Sequence, residues 1–328
     1  MVAPFQPIGL RLCPSCGAGE QVEANVPLWP SGWTCRACGH AVPVADCVPL
    51  YAPLLANSPT GIDPTLFEEL ARHEVGHFWF EPRNRLLVGL AHRYFPQATR
   101  YLEIGCGTGA VLAPMAAARN WSRLVGAELH PAGLTHARRR LGDRAEFVQM
   151  DARHLPAREA FDLIGAFDVL EHISEDEAVM QEVHAALVPG GGFIAAVPQH
   201  PWLWSPADDV AHHVRRYRRG ELERKLCAAG FEIVFSSSYA SVVLPLMIAS
   251  RFTIRRSAAD GDVASRELAV GPALNRMLRK VLDTEVGLTL KGLAWPVGGS
   301  RVLVARKPQD SGARSRYNQK NNLGSFQP

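Results

Sequence analysis

The chain has no long apolar run. The longest, Val242 to Ala249, is eight residues and contains Pro245, far short of the roughly 20 needed to span a bilayer. No charged segment followed by an apolar stretch opens the sequence, so a secretory leader is not expected and a soluble, cytoplasmic protein is. Charge of one sign is scarce as well: the net charge is +3, too mild to imply a nucleic-acid partner by itself. No internal repeat is visible. Beyond residue 40 only Cys47, Cys106 and Cys227 remain of the seven cysteines, and the last two read as small core residues. What is present is a chain of 328 residues, 47% hydrophobic and 20% charged, which permits a sizeable core and excludes wholesale disorder. One large domain with a small appendage is expected.

The appendage is visible in the other four cysteines. Cys13/Cys16 and Cys35/Cys38 form two C-x-x-C pairs with 18 residues between them. Two hairpin tips of this kind aim four thiolates at one tetrahedral zinc. Gly17 and Gly39 follow the pairs, where a turn around a metal needs positive φ. Two structural disulfides would suit a secreted chain, which this one does not resemble. Residues 1–50 are therefore expected to be a zinc ribbon that takes its folding energy from the metal, and 51–95 a proline-spaced linker with lead-in helices.

The stretch from Arg100 to Gly109 reads Arg-Tyr-Leu-Glu-Ile-Gly-Cys-Gly-Thr-Gly. A short buried strand followed at once by three alternate glycines gives a sharp turn with bare backbone, against which a flat or elongated ligand can lie. Before a helix from Ala110, such a loop is where an open α/β sheet holds a nucleotide-like ligand. Gly105, Gly107 and Ala110 also satisfy a dinucleotide fingerprint, with Glu128 near the place of its ribose-binding acid. Glu103 ahead of the glycines, and acids at later strand ends, favour another family. From about Phe95 to Phe235 the sequence resembles the class I S-adenosylmethionine-dependent methyltransferases, whose first motif is Glu-x-Gly-x-Gly-x-Gly.

The remaining pattern alternates as a doubly wound, Rossmann-like, seven-stranded α/β sheet should. Strands are expected at Leu124 to Ala127, Glu146 to Met150, Phe161 to Phe167, Phe193 to Val197 after the turn Pro189 to Gly192, Phe231 to Phe235, and Arg301 to Arg306. Helices are expected near Leu134 to Leu141, Glu175 to Leu187 and Glu221 to Ala229. The methyltransferase domain is placed at 96–307, with a helical insertion at about 241–296 before the last strand and a disordered tail at 308–328.

The resemblance implies S-adenosylmethionine as cofactor. Its cofactor-binding positions fall on Glu103, Gly105, Cys106, Gly107 and Gly109 in the loop. Glu128 and Leu129 fall at the ribose, Asp151 and Ala152 at the adenine, and Asp168 and Val169 on the methionine side. A single acid at a strand end is commonly a solvated or capping carboxylate; three after successive strands, together with the glycine loop, are not. The expected chemistry is in-line displacement of the sulfonium methyl, with alignment and a dry site supplied by the protein. His172 and then His200 are the candidate bases for an acceptor that must lose a proton. Asp168-Val169-Leu170-Glu171-His172 also resembles the segment that holds a divalent ion in quinone-biosynthesis O-methyltransferases, which carry Glu where this chain has Asp168. Mg2+ is the ion that this implies.

For the acceptor, the stiff lip from Pro198 to Pro206 and the basic run from His212 to Arg219 suggest a small-molecule, lipid-like or glycan-type substrate, the arginines meeting a phosphate or carboxylate. Val242 to Ala249 is read as a cap over that site, or as peripheral membrane contact. An alternative is an RNA methyltransferase, because a four-cysteine ribbon before this domain resembles the ribosomal RNA guanine methyltransferases. Against it, Arg36 is the sole basic residue between Cys13 and Cys38, a poor provision for phosphate contacts. An inert binding module is a third reading. A fourth is a zinc metallopeptidase, since His73-Glu74-Val75-Gly76-His77 matches H-E-x-x-H; Gly76 weakens the helix this would need, and no extended third ligand follows. Oligomeric state is not legible.

Overall fold

The computed structural model describes residues 7–23, 26–58, 61–249 and 270–309. The expected tail at 308–328 lies almost wholly outside the described residues, as does 250–269 of the insertion.

Seven strands form the main sheet: β5 (Arg100–Ile104), β6 (Arg123–Glu128), β7 (Glu146–Gln149), β9 (Phe161–Phe167), β10 (Leu187–Pro198), β11 (Glu232–Tyr239) and β12 (Ser300–Arg306). Their order is β11-β12-β10-β9-β5-β6-β7. β5, β6, β7, β9 and β10 pair in parallel, and β12 runs antiparallel between β10 and β11. The central strands are near-continuous apolar runs because both faces are covered. Along β5, Leu102 and Ile104 join one core cluster and Tyr101 the other. On the first face lie α5 (Asp176–Ala186) and α7 (Glu221–Ala228). On the second lie α2 (Phe80–Tyr94), α3 (Leu112–Ala118), α4 (Pro131–Leu141) and the long α8 (Pro272–Leu290).

Two segments depart from the sequence expectation. Pro189 to Gly192, read as a turn, lies within β10, where the pairing with β9 shifts register between Leu187 and Gly192; the glycines absorb the irregularity inside the strand. β11 runs on to Tyr239, four residues past Phe235, because β12 pairs with it throughout.

The cysteine-bearing segment is joined to the sheet domain. Its hairpin of β1 (Pro7–Leu12) and β2 (Gly19–Glu23) is extended by β8 (Ala157–Arg158), so β1 pairs on both edges. Trp29 donates its indole N–H to the Pro156 carbonyl at 3.2 Å and packs on Phe161 with ring centroids 5.9 Å apart. Val22, Leu28, Trp29 and Tyr51 share one core cluster with Phe161 and Ile164. The four thiols meet at one point: Cys13 Sγ lies 3.7 Å from Cys38 Sγ, and Cys16 Sγ 3.8 Å from Cys35 Sγ. The Cys38 and Ala37 amides around Cys35 pull its thiol down to about 7, while at Cys16, against the Ala18 amide, the neighbouring thiols push the thiol up to about 12, as expected of thiols crowded at one point. This is the donor set and clustering of a zinc ribbon.

Candidate active site

β5 and β6 run to one side of the sheet and β9 returns to the other side of β5, so the crevice between the carboxyl ends of β5 and β9 is the switch point of the fold. A cavity of about 860 Å3 opens there. Gly105, Gly107 and Gly109 take φ of 65°, 49° and 77°, the left-handed region that side chains disfavour. At Gly105 an added Cβ would lie 2.3 Å from Val169 Cγ2. The backbone there is bare because the next wall of the cavity already stands against it.

Ten of the eleven sequence-assigned cofactor positions line this cavity: Glu103, Gly105, Cys106, Gly107, Glu128, Leu129, Asp151, Ala152, Asp168 and Val169. The eleventh, Gly109, faces Ala137 and Leu141 of α4. Glu128 is buried at the end of β6. Its Oε2 accepts the Gly107 N–H at 3.0 Å and its Oε1 the Leu129 and His130 N–H groups. Burial lifts its carboxyl above the ordinary range against those three bonds. Asp151 after β7 is engaged by Arg153, whose Nε lies 3.0 Å from Oδ1 and 3.1 Å from Oδ2. Burial works upward on Asp151, but the Arg153 guanidinium, the Arg153 backbone N–H and His154 outweigh it and hold the carboxyl low. Asp168 sits at φ 55° and pairs with Arg83 at 2.7 Å. That partner, on α2, is buried.

Glu103 is buried beneath the loop and accepts the Tyr101 hydroxyl at 3.1 Å. Burial pushes its carboxyl from 4.5 up to about 8, with Tyr101 and the Arg83 charge working the other way. The folded protein thus keeps a proton that the unfolded chain releases, and this group makes stability fall as pH rises between about 4.5 and 8, by up to about 1.4 kcal/mol per pH unit. Glu103→Gln is expected to lose that slope. Urea unfolding at pH 5.5 and 8 checks it, and identical pH dependence in wild type and variant contradicts it.

The two candidate bases separate. His172 lines the cavity, and burial first, then the neighbouring His213, pull its imidazole down to about 3. His200 lies off the cavity wall, stacked on Trp202 with ring centroids 5.1 Å apart. Two of the four arginines in the basic run are engaged within the chain: Arg215 pairs with Asp176 at 2.8 Å and Arg216 with Asp208 at 2.7 Å. Buried carboxylates neutralise these two of the cations that the sequence suggested for an anionic acceptor; Arg218 and Arg219 are exposed.

The H-E-x-x-H pattern does not form a zinc-binding helix face. Helix α1 (Leu66–His73) ends at the first histidine, and Gly76 at φ 76° turns the chain before the second. Glu74 instead accepts the Thr108 hydroxyl at 2.6 and 2.7 Å and pairs with Arg140 at 3.0 Å. It braces the glycine loop against α4.

Sequence reasoning missed Arg83, and nothing in its local pattern distinguishes it from a solvated helix arginine. It flagged Glu171 and His172 through their resemblance to a divalent-ion segment but missed His213, whose ligand atom lies within 4.8 Å of theirs; the adjacent His212-His213 pair was the only further signal. The far wall of the cavity is apolar, with Trp79, Phe80, Val243, Met247 and Leu278 among its residues. Residues 244–249 and α8 both place side chains there. No helix among the described residues is long and apolar enough to cross a membrane.

Fold and crevice together define a doubly wound α/β domain that binds a nucleotide-like ligand at its switch point. Residues 102–195 match the family described as Methyltransferase domain, and the chain carries a class I S-adenosylmethionine-dependent methyltransferase domain. It is 30% identical over 169 residues to a probable S-adenosylmethionine-dependent methyltransferase of Mycolicibacterium smegmatis, covering 48% of this chain and 60% of that one. It is 27% identical over 203 residues to a ubiquinone biosynthesis O-methyltransferase of Agrobacterium fabrum, covering 54% and 76%. Its fold is that of the solved Haemonchus contortus phosphoethanolamine N-methyltransferase 2 in complex with S-adenosyl-L-methionine, with a TM-score of 0.52, 16% identity and coverage of 93% and 69%. The chain spans between 38% and 76% of the length of the curated relatives it matches.

Proposed function

We propose that this protein transfers a methyl group from S-adenosylmethionine to an apolar small-molecule or lipid-like acceptor in the cytoplasm, its cysteine segment holding one structural zinc. The observation that carries the reading is the continuity of a single cavity. One end has the bare loop at Gly105 and the buried Glu128; the other has the aromatic and aliphatic wall formed with residues 244–249 and α8. The division into ribbon, lead-in helices and methyltransferase domain with a cap belongs to the same proposal.

The residues fit the donor. Glu128, already fixed by three N–H groups, presents a desolvated acceptor edge to ribose hydroxyls. At the deep end Asp168 pairs with Arg83, and burial pushes the carboxyls of Glu103 and Glu171 up toward their neutral forms, which leaves this end of the cavity with little net charge. When bound, the donor supplies a methyl already activated by positive charge. The chain's part is to align the acceptor and exclude water, and the apolar wall does both. His172 faces the cavity as an uncharged imidazole, and burial makes it a weak base that can orient an acceptor by hydrogen bonding more readily than deprotonate it.

Glu128→Ala is expected to weaken S-adenosylmethionine binding at least about tenfold, on the order of 1.5 to 3 kcal/mol. Calorimetry reads this, and unchanged affinity would falsify the ribose assignment. The function itself is tested with donor labelled in its methyl group and cell extract. Label in the lipid or small-metabolite fraction supports the reading; label in RNA, or no transfer at all, overturns it.

A further inference from the structure

We propose that Glu171, His172 and His213 bind a divalent metal ion, that His213 rather than Asp168 completes the ligand set, and that this set selects a first-row transition ion over magnesium. Asp168 is the acid a magnesium site built on Asp168-Val169-Leu170-Glu171-His172 would use, and here it pairs with Arg83 at 2.7 Å. His213 comes instead from a loop some forty residues further on.

Three observations support the site. Glu171 is fully buried, and neither carboxylate oxygen has a hydrogen-bond partner among the described residues; a carboxyl so placed has lost its hydration and is either held neutral by a proton or held charged by a bound cation. His172 Nδ1 is buried and equally unpartnered. His213 is already oriented: its Nδ1 lies 2.8 Å from Asp208 Oδ1, which leaves Nε2 facing Glu171 Oε1 at 4.0 Å. Asp208 is in turn fixed by Arg216 and by the Ser205 amide. A carboxylate that sets the tautomer and direction of an imidazole is the usual support behind a metal-bound histidine. Two imidazoles and one carboxylate suit zinc, cobalt, iron or manganese, whereas magnesium prefers oxygen ligands.

The three residues line the acceptor-side cavity, so an ion there would hold an oxygen of the acceptor. His172 would then be a ligand and not a base; the ion would supply Lewis acidity, lowering the pKa of an acceptor hydroxyl so that its proton can pass to water. This functional part rests on the methyl-transfer reading; metal uptake does not.

The test uses the full chain, stripped with chelator and reloaded with zinc alone or cobalt alone. Wild type is expected to take up about two ions per chain, one in the four-cysteine site and one here, and His213→Ala about one. In the cobalt form the intense thiolate bands persist in His213→Ala, which shows that the variant is folded around its ribbon, while the weak visible bands of the nitrogen and oxygen site vanish. Asp168→Asn keeps the second ion. Asp208→Asn weakens it about 10- to 100-fold, and millimolar magnesium does not displace it. A wild-type protein holding only the thiolate-bound ion, or a His213→Ala variant retaining both, overturns the site; displacement by magnesium overturns the selectivity. Calorimetry with S-adenosylmethionine on the same samples separates failure of this proposal from failure of the methyltransferase reading.

Discussion

Gly105→Ala is expected to lower affinity for S-adenosylmethionine by about two orders of magnitude, on the order of 2.7 kcal/mol. One effect lowers stability in the free and bound protein alike; the other reshapes the binding surface and so lowers affinity. The residue sits at φ 65°, where a Cβ costs about 1 to 2 kcal/mol. The new methyl would also lie 2.3 Å from Val169 Cγ2, so Val169 must move, and both residues line the cavity the donor must enter. Gly142→Ala is the matched control. It has φ 57° with nothing within 4 Å of its added Cβ, and it lies off the cavity, so stability should drop modestly with affinity unchanged. Calorimetry on both variants reads the difference; equal affinities would show that the bare loop is no part of the binding surface.

Loss of the metal from the cysteine cluster should destabilise the whole chain, not only its first fifty residues. Cys35→Ser, or zinc removal by chelator, is expected to cost about 5 kcal/mol or more, because structural zinc in small ribbons supplies folding energy of about 10 to 16 kcal/mol. The effect spreads because Leu28, Trp29 and Tyr51 share a core cluster with Phe161 and Ile164, and because β1 pairs with β8. Denaturant unfolding of wild type and Cys35→Ser, each with and without chelator, checks the expectation. Chelator should lower the wild-type midpoint and leave the variant where it is. A zinc-free wild type, verified by metal analysis, that unfolds at the original midpoint would mean that the ribbon is ornamental to the domain's stability.

The features legible in the sequence are those that local chemistry sets. Strand ends could be placed to within a residue or two at β5, β6, β7, β9 and β12, since a buried parallel strand needs an unbroken apolar run and its loop needs glycine or an acid. β10 and β11 were less legible. The glycines of one resemble a turn until a neighbouring strand pairs through them, and the serines Ser236, Ser237 and Ser238 of the other, polar in sequence though two of them are buried, gave no sign that β12 would extend it. At the site, the glycine loop, Glu128, Asp151 and Asp168 were readable because each stands at a fixed offset from a strand.

By itself, then, the sequence determined the doubly wound sheet, the four-thiol cluster and the loop that lines the crevice, because periodicity and short-range spacing encode all three. Tertiary structure alone decided which charges are free to act. Arg83 reaches Asp168 from 85 residues upstream, Arg215 and Arg216 are claimed by Asp176 and Asp208, and His213 is brought to Glu171 and His172. The physical reason is that a side chain's charge and hydrogen-bonding state depend on what packs against it in space, and no spacing along the chain records the partner that folding will supply.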